Sequence, residues 1–328
     1  MSADASYKTV VRELHAAKRI VIARHLNPDG DALGAQLGLG LALEAAGKEV
    51  HYLLTDAVPA HLAYLPALSR LQPLREDAYD LFVLVDLGDK PRMGSAIQAY
   101  EQSARSICID HHRTNEGICD VNWVCPQASS TCELIAALLL RESMEIPKDA
   151  ATALFAGIVT DSNRFLYETA RARTMRIAAD LLECGADASR VYFHEYQNID
   201  AALFALQGYV VEHALYLHEG RVALANLTPS LLDYFGVPMA AAESVVDVLK
   251  NLSGVEVAVV VKDQEENCQK VSFRSKRFFD VSALAQRYGG GGHVQASGCT
   301  LEMNNEDALQ EMKRVLENIP CSSLSMEF

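Results

Sequence analysis

Acidic residues and histidines collect at a few points along this chain of 328 residues, in His25-Leu-Asn-Pro-Asp29-Gly-Asp31, at Asp86, in Asp110-His111-His112 and at Asp161. Brought to one edge of a sheet, Asp29, Asp31, Asp86 and Asp161 would repel one another and raise their own pKa values unless a cation compensated them. Two divalent ions would do so. Mixed carboxylate and imidazole ligands suit Mn2+, with Mg2+ and Co2+ as alternatives. Two ions about 3.5–4 Å apart, sharing one carboxylate, can activate water at neutral pH and clamp the oxygens of a phosphoryl group. Asp86, expected on the central strand, is the candidate for the shared carboxylate. Each feature also has a plainer reading. Pro-Asp-Gly is a turn signal, an Asp at a strand end can cap the next helix, and a single His is usually structural. The joint pattern favours metal: x-D-x-D spacing after His25, an Asp at a second strand end and Asp-His-His at a third.

Short β-branched runs alternating with longer amphipathic stretches are the signature of βαβ units around a largely parallel sheet. The expected strands are Arg19–His25, Glu49–Thr55, Leu81–Leu87, Ser106–His112 and a short one near Val121–Val124. Expected helices are Asp31–Ala46, Thr131–Glu142, Lys148–Thr160 and Thr169–Glu183, and Gly34, Gly38 and Gly40 in the first suggest close packing against the sheet. Open parallel sheets bind ligands beyond the carboxyl ends of their strands, where these acids and histidines fall. Ser189–Ala214 reads as one continuous helix. Beyond it come a hairpin over His213–Asn226, a helix over Ala240–Asn251, a hairpin pairing Val255–Val261 with Gln269–Arg274, and helices over Asp280–Tyr288 and Asn304–Glu317. The fold class is therefore α/β, with an N-terminal helix-flanked sheet over residues 1–185, a helical linker over 186–214 and a smaller α+β domain over 215–328.

Gly289–Gly292 follows a helix and precedes His293 and Ala296-Ser297-Gly298. Glycines allow close backbone approach, and a loop of exposed N–H groups forms an anion nest; a plain flexible turn is the alternative. Ser129-Ser130-Thr131 opens a helix and could present hydroxyls and N–H groups to a phosphate, or serve only as an N-cap. Arg92 could stabilise phosphate charge or pair with Asp89.

Composition narrows the function. With 43 acidic residues against 29 Lys and Arg, the net charge is −14, which offers no basic surplus for holding a long polyanion by counterion release. Half of the residues are hydrophobic, so a sizeable core is expected. No apolar run approaches the roughly 20 residues that span a bilayer, and the first residues lack the apolar stretch of a secretory signal. The eight cysteines are scattered without a C-x-x-C pair, and a reduced, cytoplasmic compartment is the expectation.

Asp29-Gly-Asp31, Asp86, Asp110-His111-His112 and Asp161 resemble, in order and interval, the four motifs of the DHH phosphoesterase superfamily. Gly289-Gly-Gly-Gly-His293, with Ser272-Phe-Arg-Ser-Lys276 upstream, resembles the signature of its associated C-terminal domain. Together the likeness spans about residues 19 to 300, nearest the oligoribonuclease and pAp phosphatase branch. It implies one metal on His25, Asp29 and Asp86, and a second on Asp31, Asp86, His111 and Asp161. It also implies a catalytic role for His112 at the substrate phosphate, with Asp110 orienting the histidines, and an active site in an interdomain cleft. Arg274, Gly290, Gly291, Gly292 and His293 would bind substrate, Lys276 and Arg277 being weaker candidates beside Ser130 and Arg92. The chain departs from the pattern at Ala35, where the family often has Ser, and at Asp161-Ser162-Asn163, where it often has Asp-Thr-Gly. The implied activity is removal of mononucleotides from short oligoribonucleotides and dephosphorylation of pAp. The implied partners are short RNA and pAp, without long nucleic acid or membrane, and a homodimer is left open. Rival readings are a cyclic or linear dinucleotide (c-di-AMP or pApA) phosphodiesterase and a non-catalytic nucleotide sensor.

Overall fold

The computed structural model describes residues 3–75, 78–167, 169–265 and 267–324. The chain divides into two compact units, Met1–Asn198 and Ile199–Phe328.

The first unit is built on a six-stranded sheet of β1 (Arg19–Ala23), β2 (Glu49–Leu53), β3 (Leu71–Gln72), β4 (Leu81–Val85), β5 (Ser106–Asp110) and β6 (Val121–Val124). Its order is β3-β2-β1-β4-β5-β6, and every pairing is parallel. All five residues of β4, Leu-Phe-Val-Leu-Val, are buried, as expected of a central parallel strand covered on both faces. Leu81, Val83 and Val85 join one core, and Phe82 and Leu84 the other. Sequence patterning assigns nothing before Arg19, yet Ala3–Ala16 is a helix (α1) that delivers Tyr7, Val10 and Leu14 to the first core, a spacing that fits one helical face.

Four longer helices complete this unit: α2 (Gly30–Ala45), α4 (Thr131–Arg141), α5 (Lys148–Asp161) and α6 (Ala172–Glu183), with the short α3 (Ala96–Glu101) on the opposite core. The glycines of α2 do not all face the sheet as expected. A Cβ on Gly34 would collide with the Ala153 carbonyl oxygen and one on Gly38 with the Leu154 side chain, both on α5, whereas one on Gly40 would strike Tyr52 of β2. Two helix axes can come this close only where side chains are absent.

The segment expected as one continuous helix is broken. A short helix α7 (Ala188–Tyr192) widens into a turn of π-helix over Phe193–Gln197, and a new helix, α8 (Ala201–His213), starts after Asn198–Asp200. Asp200 takes extended backbone angles, and its carboxylate accepts from Ala202 N at 2.7 Å, capping α8 in place of continuing α7. The division between the two units falls at this break.

The second unit also carries a six-stranded sheet: β7 (Leu215–Leu217), β8 (Val222–Leu227), β9 (Val257–Glu265), β10 (Cys268–Ser275), β11 (Gly291–His293) and β12 (Ala296–Leu301), in the order β11-β12-β10-β9-β8-β7. The β8–β9 pair is parallel and the others antiparallel, so the smaller α+β domain forms as expected. Helix α8 covers one face with α9 (Pro229–Phe235) and α10 (Val245–Asn251), and α11 (Val281–Gln286) and α12 (Asn305–Glu317) cover the other. The expected helix Ala240–Asn251 divides into a 3-10 stretch, Met239–Ser244, and α10. The glycine run is corrected too: Gly291–His293 is an edge strand paired with β12, not an open loop. A Cβ on Gly290 would collide with the Gly298 carbonyl oxygen, which explains part of the glycine requirement. Among the described residues no helix is long and apolar enough to cross a membrane.

Two glycine-to-alanine changes should move stability in opposite directions. Gly34→Ala, against a backbone atom of α5, should cost about 1–3 kcal/mol, while Gly208→Ala in α8, with nothing within 4 Å of the new methyl, should add about 0.5–1 kcal/mol. Urea denaturation of both variants measures the contrast.

Candidate metal centre

The carboxyl ends of β1, β4 and β5 bring the acids and histidines together with the start of α2 and the end of α5. His25 follows β1 and is 2 % exposed. Its Nδ1 lies 2.8 Å from the Leu26 carbonyl and 2.8 Å from Arg92 Nη2, so its Nε2 faces Asp86 Oδ2 at 3.5 Å and Asp29 Oδ1 at 3.9 Å. Asp29 also caps α2, accepting from Ala32 N at 2.9 Å; the plain capping reading and the ligand reading hold for the same residue. Asp86 follows β4 with φ of +57°. A non-glycine residue in the left-handed region is strained, and such strain gathers at functional sites.

A second group lies beside the first. His111 Nε2 is 3.4 Å from Asp161 Oδ2, 3.7 Å from Asp86 Oδ1 and 3.9 Å from Asp31 Oδ2. His25, Asp29 and Asp86 offer ligand atoms all within 4.8 Å of one another, and so do Asp31, His111 and Asp161. Asp86 turns one oxygen toward each group. His112 lies beside the His111 ring, with Nδ1 2.7 Å from Asp110 Oδ1 and 3.6 Å from Asp86 Oδ1. Asp110 is fully buried and also accepts from His111 N at 2.8 Å and Asn115 Nδ2 at 2.8 Å.

The charges are strained as the geometry suggests. Burial, reinforced by Asp86 and Asp161, pushes the Asp31 carboxyl well above its usual range; burial with Asp29 and Asp86 does the same to Asp161. Burial would raise Asp86 as well, but its hydrogen bond with His25 and the nearby imidazoles hold it below the usual range. For His112, burial acts downward and is overcome by Asp110 and by the charges of Asp86 and Asp161, which push it up to about 10. Carboxylates that must share protons when crowded, with imidazole nitrogens among them, are a donor set that fits divalent cations.

Several residues that hold the site carry no signature in the sequence. Arg24 is fully buried; its Nη1 donates to Asp56 Oδ1 at 2.7 Å and to the His25 carbonyl at 3.1 Å, and Asp56 also accepts from Asn27 N. This pair fixes the loop that carries His25. A charged residue directly after an apolar strand is the one hint available. After Asp161, Asn163, Arg164 and Phe165 have φ of +47°, +62° and +65°, the first of them at the position where the pattern noted above has glycine.

Other expected residues fall as follows. The Arg92 guanidinium contacts the His25 ring and the Leu26 carbonyl, and its backbone N–H donates to the Asp89 carbonyl. Ser130, expected to face a phosphate, is fully buried and accepts from Glu133 N at 3.0 Å as the N-cap of α4; it has no surface to offer a ligand. In the second unit Arg274 lies on β10, its Nη1 donating to the Phe273 carbonyl and its Nε 3.5 Å from Asp247. Gly290 precedes the exposed edge strand that holds Gly291, Gly292 and His293. Lys276 donates to the Leu252 carbonyl, and the Arg277 amide donates to Glu256.

The chain is 30% identical over 315 residues, 92% of its length and 89% of the relative's, to a bifunctional oligoribonuclease and PAP phosphatase NrnA of Thermus thermophilus. Residues 19–158 match the N-terminal domain of the DHH family, and residues 221–318 match a DHHA1 domain. The chain belongs to the DHH family. A second relative, a probable bifunctional oligoribonuclease and PAP phosphatase NrnA of Streptococcus mutans, is 29% identical over 95% of this chain and 99% of its own. The crystal structure of an exopolyphosphatase-related protein from Bacteroides fragilis superposes with a TM-score of 0.87 at 27% identity, covering 96% of both chains.

Neutralising one crowded acid should relieve the repulsion and impair the cation site together. Asp161→Asn should raise the metal-free melting temperature by a few degrees, the shift that about 1 kcal/mol gives in a protein of this size, and should shrink the further rise produced by Mn2+. Differential scanning calorimetry with and without chelator reads both effects.

Proposed function

We propose that the chain is a metal-dependent phosphoesterase that releases mononucleotides from very short oligoribonucleotides and dephosphorylates pAp to AMP. The observation that carries this reading is the pair of adjacent donor groups sharing Asp86, in a chain that aligns along nearly its whole length with relatives named for this activity. In this reading His25, Asp29 and Asp86 hold one ion, and Asp31, Asp86, His111 and Asp161 hold the other. The mixed oxygen and nitrogen donors favour Mn2+, with Mg2+ and Co2+ as alternatives. Bound there, divalent ions supply Lewis acidity toward a phosphoryl oxygen and acidity to a water molecule.

The side chains do the rest. Asp86, held in a left-handed conformation, presents one oxygen to each group. Asp110 engages Nδ1 of His112, so that Nε2 is the nitrogen that donates to a substrate phosphate oxygen and offsets its charge. Water attacks phosphorus in line with the 3′-oxygen; the new P–O bond forms as the bond to that oxygen breaks, and a proton goes to the leaving alkoxide. Arg274 and the Gly290–His293 segment are assigned to substrate binding, and Arg92 to the neighbourhood of the phosphate through its contact with His25. The net charge of −14 supports short substrates, since few phosphates need be met.

With Mn2+ and a ladder of RNA from 2-mers to 24-mers, the shortest substrates should be consumed first; preference for the long ones would overturn the reading. Product analysis on pAp, pApA and c-di-AMP separates it from a dinucleotide phosphodiesterase. Asp86→Ala should lower kcat/KM by more than the roughly 10–100-fold typical of losing a partner to a metal ligand, and unchanged turnover would reject the bridging role.

A further inference from the structure

The N-terminus of α4 touches the metal centre at several points. The backbone N–H of Thr131 donates to Asp31 Oδ2 at 2.7 Å, and that of Cys132 donates to Asp31 Oδ1 at 2.8 Å, so a buried carboxylate sits on a helix N-terminus. The N–H groups read from the sequence as facing a phosphate therefore face a protein carboxylate. The Thr131 hydroxyl reaches further and donates to Asp86 Oδ1 at 2.9 Å. Thr131 is fully buried.

The position of this segment is itself fixed from behind. Glu133, 2 % exposed, accepts from Ser129 N at 3.0 Å, Ser129 Oγ at 2.7 Å and Thr174 Oγ1 at 2.8 Å, and pairs with Arg173 Nε at 3.1 Å. The first turn of α4 is thus anchored to α6, and the Thr131 hydroxyl is aimed by the backbone that carries it.

We propose that Thr131 is a positioning residue that sets the rotation of the Asp86 carboxylate, and through it the affinity of the ion held by Asp31, His111 and Asp161. Oδ1 of Asp86 is the oxygen facing His111, and it is the one that Thr131 holds; Oδ2 faces His25. The terminal torsion of an aspartate is broad, so a carboxylate without this bond can turn away from one group while still serving the other. Loss of the hydroxyl should therefore weaken the two ions unequally, which general damage to the fold would not do. This inference rests on the two-ion reading of the site.

The test is titration of metal-stripped protein with Mn2+, followed by calorimetry and by the exchange-coupled signal of paired Mn2+ in electron paramagnetic resonance. Thr131→Val should weaken one ion by about 10–100-fold, leave the other near its wild-type affinity and remove the coupled signal at sub-saturating metal. Thr131→Ser, which keeps the hydroxyl, should restore both. If the valine variant does not fold, Thr131→Ala poses the same question without the branched side chain. Two ions bound with wild-type affinity in Thr131→Val or Thr131→Ala, or a serine variant as weak as the valine one, would overturn the inference. A wild-type chain that takes up fewer than two ions would overturn the two-ion reading first.

Discussion

The first unit is arranged around the cost of holding buried Asp31 and Asp86 and half-buried Asp161 within reach of one another. A buried carboxylate is unfavourable without a partner, and neighbouring acids make it worse. The protein answers from three directions: the first turn of α4, which donates to Asp31 through backbone N–H groups and to Asp86 through the Thr131 hydroxyl, and the nearby imidazoles of His25 and His111. None of these elements neutralises the full charge. What is left over is an appetite for cations, and it is localised because the parallel sheet brings the ends of β1, β4 and β5 to one edge.

Much of this was legible in the sequence, for a physical reason. A parallel strand buried on both faces must be apolar throughout, so a carboxylate or imidazole at its end stands out, and His25, Asp86 and Asp110-His111-His112 were visible on that ground. The supporting residues were not. Thr131 meets Asp86 across 45 positions of chain and Asp31 across 100, and nothing local to a Ser-Ser-Thr run distinguishes an N-cap from a clamp. The left-handed conformation of Asp86 is likewise imposed by tertiary structure. Helix α1 shows little of itself in the sequence because the apolar residues it buries, Tyr7, Val10 and Leu14 among them, are few and set among polar ones. The break before α8 has no local signature because Asp200 can sit in a helix or cap one; its extended backbone and its bond to Ala202 N show that it caps.

The second unit shows why a motif can be right in place and wrong in form. Its glycine run was expected as an open loop and is largely an edge strand, where Gly290 is required by the close approach of Gly298. Its basic residues are also less available than the sequence suggests. Lys262 is 1 % exposed and bonded to Glu243, which also pairs with Lys270, and Lys276 is committed to a backbone carbonyl. The lysines Lys262 and Lys270 are thus counter-ions to Glu243.

The glycine seam between α2 and α5 reaches further than packing. Asp31 stands in the first turn of α2 and Asp161 at the end of α5, so the separation of these two carboxylates is inherited from the spacing of the helix axes. Gly34 and Gly38 hold that spacing along the seam, and at its end a Cβ on Gly157 would approach Asp31 Oδ1 to 2.9 Å. Residues that contribute no side chain thus act as a calliper on the opening into which a cation must fit. The distance between two charges is thus set by atoms that are not there.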